Sequence, residues 1–451
     1  MPAIFFISPS AYIFGGLATW LDYLVPGLEK GGWGVTVGLT KGQHHDVGAY
    51  ILKHPFKKVI AVENKTGTSE GRIRSICGAI NKIKPDLVVS VNIPDTYLAV
   101  ERLRRIKRAF PKVIMTVHGI QPNFYGDIKR YRDVLDAVVC TNKLACFLAE
   151  VDGGIEKQRV YYAPYGVSIV NRVITQNNDG PLRIVYSGRL EQNQKRIHDI
   201  PLVLEKLEEE KMDYRFTFVG DGPEEKALKD RLSNQVRSGK VRFLGVLSPE
   251  DIKTHVYEHG DVLLLTSLWE TGPIVIWEAM ANGLVVVSSA YIGSGLEGSL
   301  VNGKNCFLFP VGDVKAAAAC LVQAKNLDVR RKLSGNGHRF ILEKYSQCAS
   351  IKIWSDSFTA ILSKPTKNSS LCRIEIAKAG RLDRIFGTLI AENLREMSSL
   401  SFKHSEPGGE WPHTHSARNI DDRGFWEKAR ILDAREIPKI IKIGQSPESE
   451  N

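Results

Sequence analysis

The fold of this chain is decided by the segment Leu265-Thr-Ser-Leu-Trp-Glu-Thr-Gly-Pro-Ile-Val-Ile-Trp-Glu-Ala-Met-Ala-Asn-Gly283. An apolar strand ends near Thr266, Gly272 allows a tight turn, and Pro273 takes the place of a first helical residue, where a missing amide costs little. The free amides of a helix N-terminus favour a phosphate. A strand that runs through a glycine turn into a helix is the repeating unit of a parallel sheet, so we expect an α/β fold.

The same alternation of short apolar runs and helical stretches extends in both directions from this segment. Turn residues bound each run, which is typical of strands buried in a parallel sheet with helices on both faces. The two halves of the chain each read as one doubly wound unit. The predicted strands lie at 4–8, 35–39, 87–91, 113–117, 137–141, 160–163, 183–187, 215–219, 241–244, 262–266 and 284–288.

A polar stretch over 168–180 separates the two halves and is the predicted linker. We expect a Rossmann-like N-terminal domain over 1–170 and a Rossmann-like C-terminal domain over 181–345. A helix over 346–363 is expected to pack back toward the first domain, and 364–451 is expected to be a partly helical tail of unassigned role. Ligands of open α/β sheets bind beyond the carboxyl ends of the strands. We therefore expect a ligand to bind between the two domains.

Composition excludes several other classes of protein. A chain of 451 residues with 43% hydrophobic content can bury two cores. Its longest apolar runs are strand-sized, short of the roughly 18–20 residues that a membrane-spanning helix needs. The N-terminus, Met1-Pro-Ala-Ile-Phe-Phe-Ile-Ser-Pro, has no basic leader and reads as a first strand, so we expect a cytoplasmic protein. The 7 cysteines stand singly, which argues against a disulfide framework or a zinc cage.

The formal net charge of +11 calls for an anionic partner. The strongest basic stretch is 96–110, in which Arg102, Arg104, Arg105, Lys107 and Arg108 alternate with apolar residues at helical spacing. An ordinary surface helix that packs on the sheet is the favoured interpretation. The alternative is a helix that docks on an anionic membrane surface. Nucleic-acid binding would rest on charge alone, without a motif, and is not expected.

Two acidic and two basic residues follow strand ends in the second half. Glu270 lies in the turn and Glu278 in the next helix, and carboxylates accept hydrogen bonds from hydroxyl groups. Alone, such a pair is more often a turn residue and a solvated one. Arg189 and Lys195 follow the opening strand of this half. Two cations there would neutralise a bound diphosphate, and each charge-assisted hydrogen bond would stabilise it by about 1.5–3 kcal/mol. The four together favour a binding site.

The first half of the chain contains weaker candidates for site residues. Gly15 and Gly16 follow the first strand, where the lack of side chains lets the backbone approach a ligand. His118 also ends a strand, and we weigh a packed core histidine and a site residue equally. His413 and His415 form an HxH typical of loop surface, without an acidic or cysteine partner, so no metal site is predicted.

Taken together, these segments resemble the retaining glycosyltransferases of family 4, which have the GT-B fold. The resemblance covers about residues 1–363. Four segments carry it, in the order Ala163-Pro-Tyr-Gly-Val, Gly188-Arg-Leu with Lys195, Val219-Gly-Asp-Gly-Pro-Glu, and Glu270-x7-Glu278 followed by Ala-Met-Ala-x-Gly. Thr271 and Cys306 stand where the family usually has glycine, so we expect a loop of different shape at the sugar.

The resemblance implies an acceptor-binding N-terminal domain and a nucleotide-sugar-binding C-terminal domain. It implies that Arg189 and Lys195 bind the donor diphosphate, that Glu278 binds the ribose, and that Glu270 binds the transferred sugar. Glu270 and His118 would be the catalytic residues, with His118 beside the reacting carbon. Further donor contacts would come from Gly16, Gly272 and Ile274.

The resemblance also implies a reaction, the retaining transfer of a sugar from a nucleotide diphosphate donor without metal or cofactor. We lean to a UDP-sugar donor, a saccharide or lipid-linked saccharide acceptor, and envelope or exopolysaccharide synthesis, at the inner face of the membrane if the protein is peripheral. The alternatives are a catalytically silent sugar-nucleotide-binding protein and another GT-B activity, such as a phosphorylase or a sugar-nucleotide epimerase. A dinucleotide dehydrogenase is not expected because no GxGxxG follows either first strand.

Overall fold

The structure is a computed structural model of the whole chain, and it describes residues 1–9, 16–41, 46–54, 56–91, 93–106, 111–169, 180–366, 376, 378–402 and 422–434. The chain divides into two compact units. The first consists of 1–141, 145–163 and 351–425, and the second of 142–144, 164–350 and 426–451. The described residues of the tail beyond 363 are divided between the two units.

The first unit is built on a seven-stranded sheet with the strand order β3-β2-β1-β4-β5-β6-β7. All neighbouring strands are parallel. The strands are β1 (Ala3–Pro9), β2 (Gly34–Thr40), β3 (Val59–Val62), β4 (Leu87–Ser90), β5 (Lys112–Val117), β6 (Ala137–Cys140) and β7 (Val160–Tyr162). The helices are α1 (Gly16–Lys30), α2 (Val47–Lys53), α3 (Ser69–Ile83), α4 (Pro94–Ile106), α5 (Pro122–Tyr131) and α6 (Lys143–Val151).

The second unit is built on a six-stranded sheet with the order β10-β9-β8-β11-β12-β13, again parallel throughout. The strands are β8 (Leu182–Ser187), β9 (Tyr214–Val219), β10 (Val241–Phe243), β11 (Val262–Leu265), β12 (Val285–Ser289) and β13 (Cys306–Phe309). The helices are α7 (Asp199–Glu209), α8 (Glu225–Arg231), α9 (Ser233–Arg237), α10 (Pro249–His255), α11 (Ile274–Ala281), α12 (Val314–Ala324) and α13 (Leu327–Lys344).

Three more helices follow: α14 (Gln347–Ser363), α15 (Arg381–Ser398) and α16 (Arg423–Asp433). The part of α14 that belongs to the first unit packs its aromatic face on α1, with the ring centroids of Trp354 and Trp20 4.9 Å apart. Gly27 of α1 makes this close packing possible, because a Cβ there would overlap Ile351. None of the helices in the described ranges is long and apolar enough to cross a membrane.

The burial of the central strands agrees with the apolar runs from which they were predicted. Every residue of β4, β5, β6 and β11 is buried, which matches apolar runs that are covered by helices on both faces. The predicted α/β class with two doubly wound units is confirmed. The edge strands β3 and β13 were not predicted; each is only four residues long, and only one residue of β3 is buried. The predicted linker lies largely outside the described residues, since 170–179 are not among them.

Candidate functional site

In the second unit the strand order reverses between β8 and β11, which lie side by side at the centre of the sheet. The loops that leave the carboxyl ends of such a strand pair diverge, and the space between them is where ligands of doubly wound folds bind. The loop after β8 carries Arg189 and Lys195, and the loop after β11 carries Glu270. Three of the predicted site residues therefore meet at one point of the sheet.

Lys195 and Glu270 form a nearly dry ion pair. The Lys195 Nζ donates to Glu270 Oε1 at 2.5 Å, and the two side chains are only 12% and 7% exposed. The Ser267 hydroxyl donates to the same Oε1 at 2.6 Å. An ammonium group has three N–H donors, so the pair leaves Lys195 with further donors for an anion.

Gln194 joins Arg189 to this pair. Its amide Nε2 donates to Glu270 Oε2 at 3.1 Å, and its Oε1 accepts from Arg189 Nη2 at 2.6 Å. The Glu191 carboxylate accepts from the backbone amides of Gln194 and Lys195, which fixes the turn that presents them. Sequence reasoning missed Gln194, although it stands next to Lys195, because a neutral amide carries no charge signal.

Two glycines of the Val219-Gly-Asp-Gly-Pro-Glu segment hold the Arg189 loop in place. Gly220 has a φ of +117°, and a Cβ there would overlap the Gly188 carbonyl oxygen. Gly222 has a φ of +157°, and a Cβ there would overlap the Leu190 carbonyl oxygen. The amides of Gly188 and Leu190 donate to Val219 and Asp221 at 3.0 and 2.7 Å. The Val219-Gly-Asp-Gly-Pro-Glu segment therefore fixes the position of the loop that carries Arg189.

We expect Gly220→Ala to lower the free energy of unfolding by about 1–3 kcal/mol, because it combines a left-handed backbone with a backbone overlap. Guanidinium denaturation measures this change. Gly335→Ala is the matched control, since Gly335 is an exposed residue within α13 and an added Cβ there would have no neighbouring atom within 4 Å. The control should be neutral or stabilising by about 0.5–1 kcal/mol. Equal stability of the two variants would contradict the supporting role of Gly220.

The turn before α11 has the predicted glycine but a slightly different helix start. Gly272 has a φ of +107°, and a Cβ there would lie 2.7 Å from the Trp277 ring. Pro273 is the N-cap, and Ile274 is the first helical residue. The prediction that Pro273 begins the helix is thus wrong by one residue, because its ψ of 105° is extended and not helical. The first free amide belongs to Ile274.

Glu278 has a hydrogen-bond partner outside the Lys195 network. The Tyr257 hydroxyl donates to Glu278 Oε2 at 3.3 Å. Burial raises the pKa of the Glu278 carboxyl to about 7, and the Tyr257 hydrogen bond offsets part of this rise. Near neutral pH, this carboxyl is poised between its charged and neutral forms.

In the first unit, His118 packs against the helix that Gly16 begins. Gly16 begins α1, and His118 follows β5. Trp20 of α1 packs on the His118 imidazole with ring centroids 4.7 Å apart. Burial lowers the pKa of His118 to about 3, so the ring is neutral at physiological pH. Gly15 lies outside the described residues.

The described arginines of the basic stretch are engaged within the unit. Arg102 donates to the Glu70 carboxylate at 2.6 and 2.8 Å. Arg104 pairs with Asp136, and Arg105 pairs with Glu101. These contacts favour the surface-helix interpretation of α4. Lys107 and Arg108 lie outside the described residues, as do His413 and His415.

Helix α16 contacts the loops around the site, which the sequence did not predict. The Asp433 carboxylate accepts from the backbone amides of Gly293, Gly295 and Leu296 at 2.7–3.0 Å. Trp426 stacks on Trp269, the residue before Glu270, with centroids 5.4 Å apart. In the described part of the chain, no three His, Cys, Asp or Glu side chains are grouped so that they could hold a metal ion. Cys306 begins the buried strand β13 and so does not lie in a loop.

Residues 168–339 match the family model described as Glycosyl transferases group 1, so this segment of the second unit carries a group 1 domain. The sulfoquinovosyl transferase SQD2 of Arabidopsis thaliana is 29% identical over 40% of this chain and 34% of its own length. The amylovoran biosynthesis glycosyltransferase AmsK of Erwinia amylovora is 34% identical over 24% of this chain and 28% of its own length. The chain thus spans about a third of the length of these curated relatives.

Solved structures show a likeness over more of the chain. Anabaena Alr3699/HepE, solved in complex with UDP and glucose, has a TM-score of 0.65 at 16% identity. The match covers 80% of this chain and 100% of that one. At this identity the likeness shows the fold alone, and it confirms the GT-B fold class predicted from the sequence.

Proposed function

We propose that this chain, whose segment 168–339 carries a group 1 glycosyltransferase domain, is a retaining glycosyltransferase of family 4 that uses a nucleotide diphosphate sugar. The observation that carries the proposal is the convergence of Arg189, Lys195 and Glu270 at the switch point of the second sheet. The donor is a UDP-sugar and the acceptor a saccharide or lipid-linked saccharide of envelope or exopolysaccharide synthesis. The UDP complex of HepE and the name of AmsK support this choice.

The charges of the site fit the departure of a diphosphate. The bond from the anomeric carbon to the phosphate oxygen breaks while a new bond to the acceptor hydroxyl oxygen forms on the same face. The hydroxyl proton leaves with the diphosphate. Arg189 and Lys195 stabilise the developing negative charge, a kind of contact in which each donor contributes about 10²–10³ in rate. No metal is needed in this scheme.

Glu270 and His118 are proposed to act at the sugar. The Glu270 carboxylate is held in one orientation by Lys195, Gln194 and Ser267, so it can accept hydrogen bonds from sugar hydroxyls without reorganising. His118 is neutral and can donate one hydrogen bond beside the reacting carbon. The backbone at Gly16, Gly272 and Ile274 supplies the remaining donor contacts.

Glu278 is proposed to bind the ribose hydroxyls, which predicts a pH dependence. A carboxylate is a better acceptor than a carboxylic acid, and burial raises the Glu278 pKa to about 7. The donor should therefore bind more tightly as the pH rises through 7, with the release of a proton. If only the charged form binds, affinity for a UDP-sugar increases about tenfold from pH 6 to pH 8.

Isothermal titration calorimetry across this pH range measures the change. A UDP-sugar is the suitable titrant because its diphosphate has no terminal group that titrates near neutral pH. Glu278→Gln is the control, and it should bind more weakly with a flat pH profile. A profile that is equally steep in both proteins would remove Glu278 from the ribose site.

The identity of the reaction is tested with a panel of nucleotide sugars. We expect one of them to raise the melting temperature, because a ligand that binds only the native state must stabilise it. Consumption of that donor is then compared with and without acceptor. Transfer should require the acceptor, whereas an epimerase converts the donor without one. Tight binding with no turnover under any acceptor would instead indicate a silent sugar-nucleotide-binding protein.

A further inference from the structure

The described part of the tail in the first unit exposes a concentration of apolar side chains. Among the described residues 18 large apolar side chains are exposed, and 8 of them lie within 385–402, which is too many for chance scatter over the surface. On α15 the most exposed are Met397 at 84% and Ile385 at 70%. Helix α15 is broken at Gly387, which has a φ of +76° and a ψ of 159°. We define the α15 face as the exposed side chains Ile385 and Phe386 before this break and Leu389, Ile390, Leu394 and Met397 after it.

The α15 face has a defined position because a buried polar cluster on the opposite side of the helix binds it to α3 and to the residues before α3. The fully buried Glu392 accepts from Thr68 at 2.9 Å and also from Thr66. Arg395, 1% exposed, pairs with Asp383 and with Glu392. Both Arg395 Nη groups are paired within this cluster, whereas the buried Arg395 Nε has no hydrogen-bond partner among the described residues. Buried hydrogen-bonded pairs of this kind favour one arrangement of the segments that they join. Asp383 lies before the break at Gly387 and Arg395 after it, so their ion pair holds both parts of α15 and fixes the orientation of the α15 face.

The charges around the face favour an anionic surface as its partner. The acidic groups of α15 are all engaged, Asp383 and Glu392 with Arg395, and Glu396 with Arg74. Exposed cations stand at the N-terminal end of the helix, namely Lys378, Arg381 and Arg384. A helix with a wide apolar stripe and flanking cations is the pattern that binds the interface of an anionic bilayer.

A groove beside the α15 face has the same mixed character. It has a volume of about 750 Å³ and lies between α3, β3 and the segment that follows α15. Its walls include the exposed cations Lys65 and Lys82 and the apolar side chains Ile83 and Leu400. Two carboxylates also line it, and both are paired with cations, Glu63 with Lys41 and Glu396 with Arg74. The backbone of this wall is anchored, since the Phe402 amide donates to the Thr66 carbonyl at 2.8 Å. Such a groove can bind the anionic headgroup of a lipid, with the first carbons of its acyl chain against the apolar side chains.

We propose that the α15 face docks this protein on a membrane surface that contains anionic lipid. The helix lies in the plane of the interface, with its apolar side chains among the acyl chains and Lys378, Arg381 and Arg384 at the headgroups. This surface is distinct from the basic helix α4, whose described arginines are committed to intramolecular ion pairs. Membrane docking by the α15 face goes beyond the proposed function, because it does not depend on which sugar is transferred.

The test is sedimentation of the full-length protein with vesicles of phosphatidylcholine alone or with 30% phosphatidylglycerol, a composition chosen as roughly that of an anionic membrane. We expect binding to the anionic vesicles only. The triple variant Leu389→Gln, Ile390→Gln, Met397→Gln should lower the partition coefficient at least about tenfold. Arg381→Gln with Arg384→Gln should lower it about tenfold or more and weaken its salt dependence.

Two further variants and one control measurement make the result decisive. Leu52→Gln removes an exposed apolar side chain on α2, 84% exposed, and should bind like the wild type. Loss of binding in Ile106→Gln on α4, with binding retained by the triple variant, would overturn the proposal. So would failure of the wild type to bind, or dimerisation in sedimentation velocity that the triple variant abolishes. Nucleotide-sugar affinity should be equal in wild type and triple variant, so this test fails or succeeds independently of the donor site.

Discussion

Replacing Lys195 by alanine should lower kcat by about 10²–10³ while the protein stays folded. The Lys195 ammonium is held at the proposed site by Glu270, and we propose that it neutralises the leaving diphosphate. Removal of one such preorganised donor has an effect of this size. The same change leaves the Glu270 carboxylate with Ser267 and Gln194 as its hydrogen-bond partners. Steady-state kinetics with the preferred donor measures the loss.

The control for this prediction is an ion pair on the surface of the same unit. Lys206 on α7 pairs with Glu209 at 2.7 Å, with side chains 39% and 62% exposed. Lys206→Ala should leave kcat unchanged, because a surface pair contributes only about 0.2–1 kcal/mol to stability and is remote from the switch point. Thermal unfolding of both variants separates a catalytic loss from a folding defect. Near-normal turnover of Lys195→Ala would refute its role.

Replacing Glu270 by alanine should abolish transfer, with a loss of at least about 10³ in kcat/KM. Glu270 is buried and holds both Lys195 and Gln194, so its removal takes away the proposed sugar contact and releases the two groups that it orients. Glu270→Gln keeps the shape of the side chain without its charge and should retain some activity. Initial rates at saturating acceptor measure both effects, and full activity of Glu270→Ala would exclude it from the site.

The double variant of Lys195 and Glu270 tests whether the two residues act as a unit. If they do, Lys195→Ala with Glu270→Ala should be no slower than the worse single variant, because groups that act together are strongly non-additive. The matched cycle of Lys206→Ala with Glu209→Ala should be additive and near neutral in rate. Additive losses at Lys195 and Glu270 would mean that each contributes separately, against the shared network.

The sequence predicted the fold well because the central strands of a doubly wound sheet are short runs in which apolar residues predominate. The four buried residues of β11, Val262–Leu265, are such a run, and the turn after it needs the left-handed glycine that is present at Gly272. Two edge strands, β3 and β13, were not predicted, although both are four-residue apolar runs. The local pattern thus specified every central strand but only two of the four edge strands.

The candidate site was only partly predictable from the sequence. Charged residues after strand ends could be recognised, because topology brings neighbouring strand ends together whatever the side-chain detail. The role of Gln194 could not be recognised, since it depends on Arg189 and Glu270 meeting across two loops. The contacts of Asp433 with the amides at 293–296 join segments about 140 residues apart, and no local pattern encodes such a distance.

The roles proposed for Arg189, Lys195 and Glu278 are tested most directly by a crystal structure of the protein with UDP bound. We expect the diphosphate to contact Arg189 and Lys195 and the ribose hydroxyls to donate to Glu278. UDP bound elsewhere, with these three side chains turned away from it, would contradict the proposed donor site.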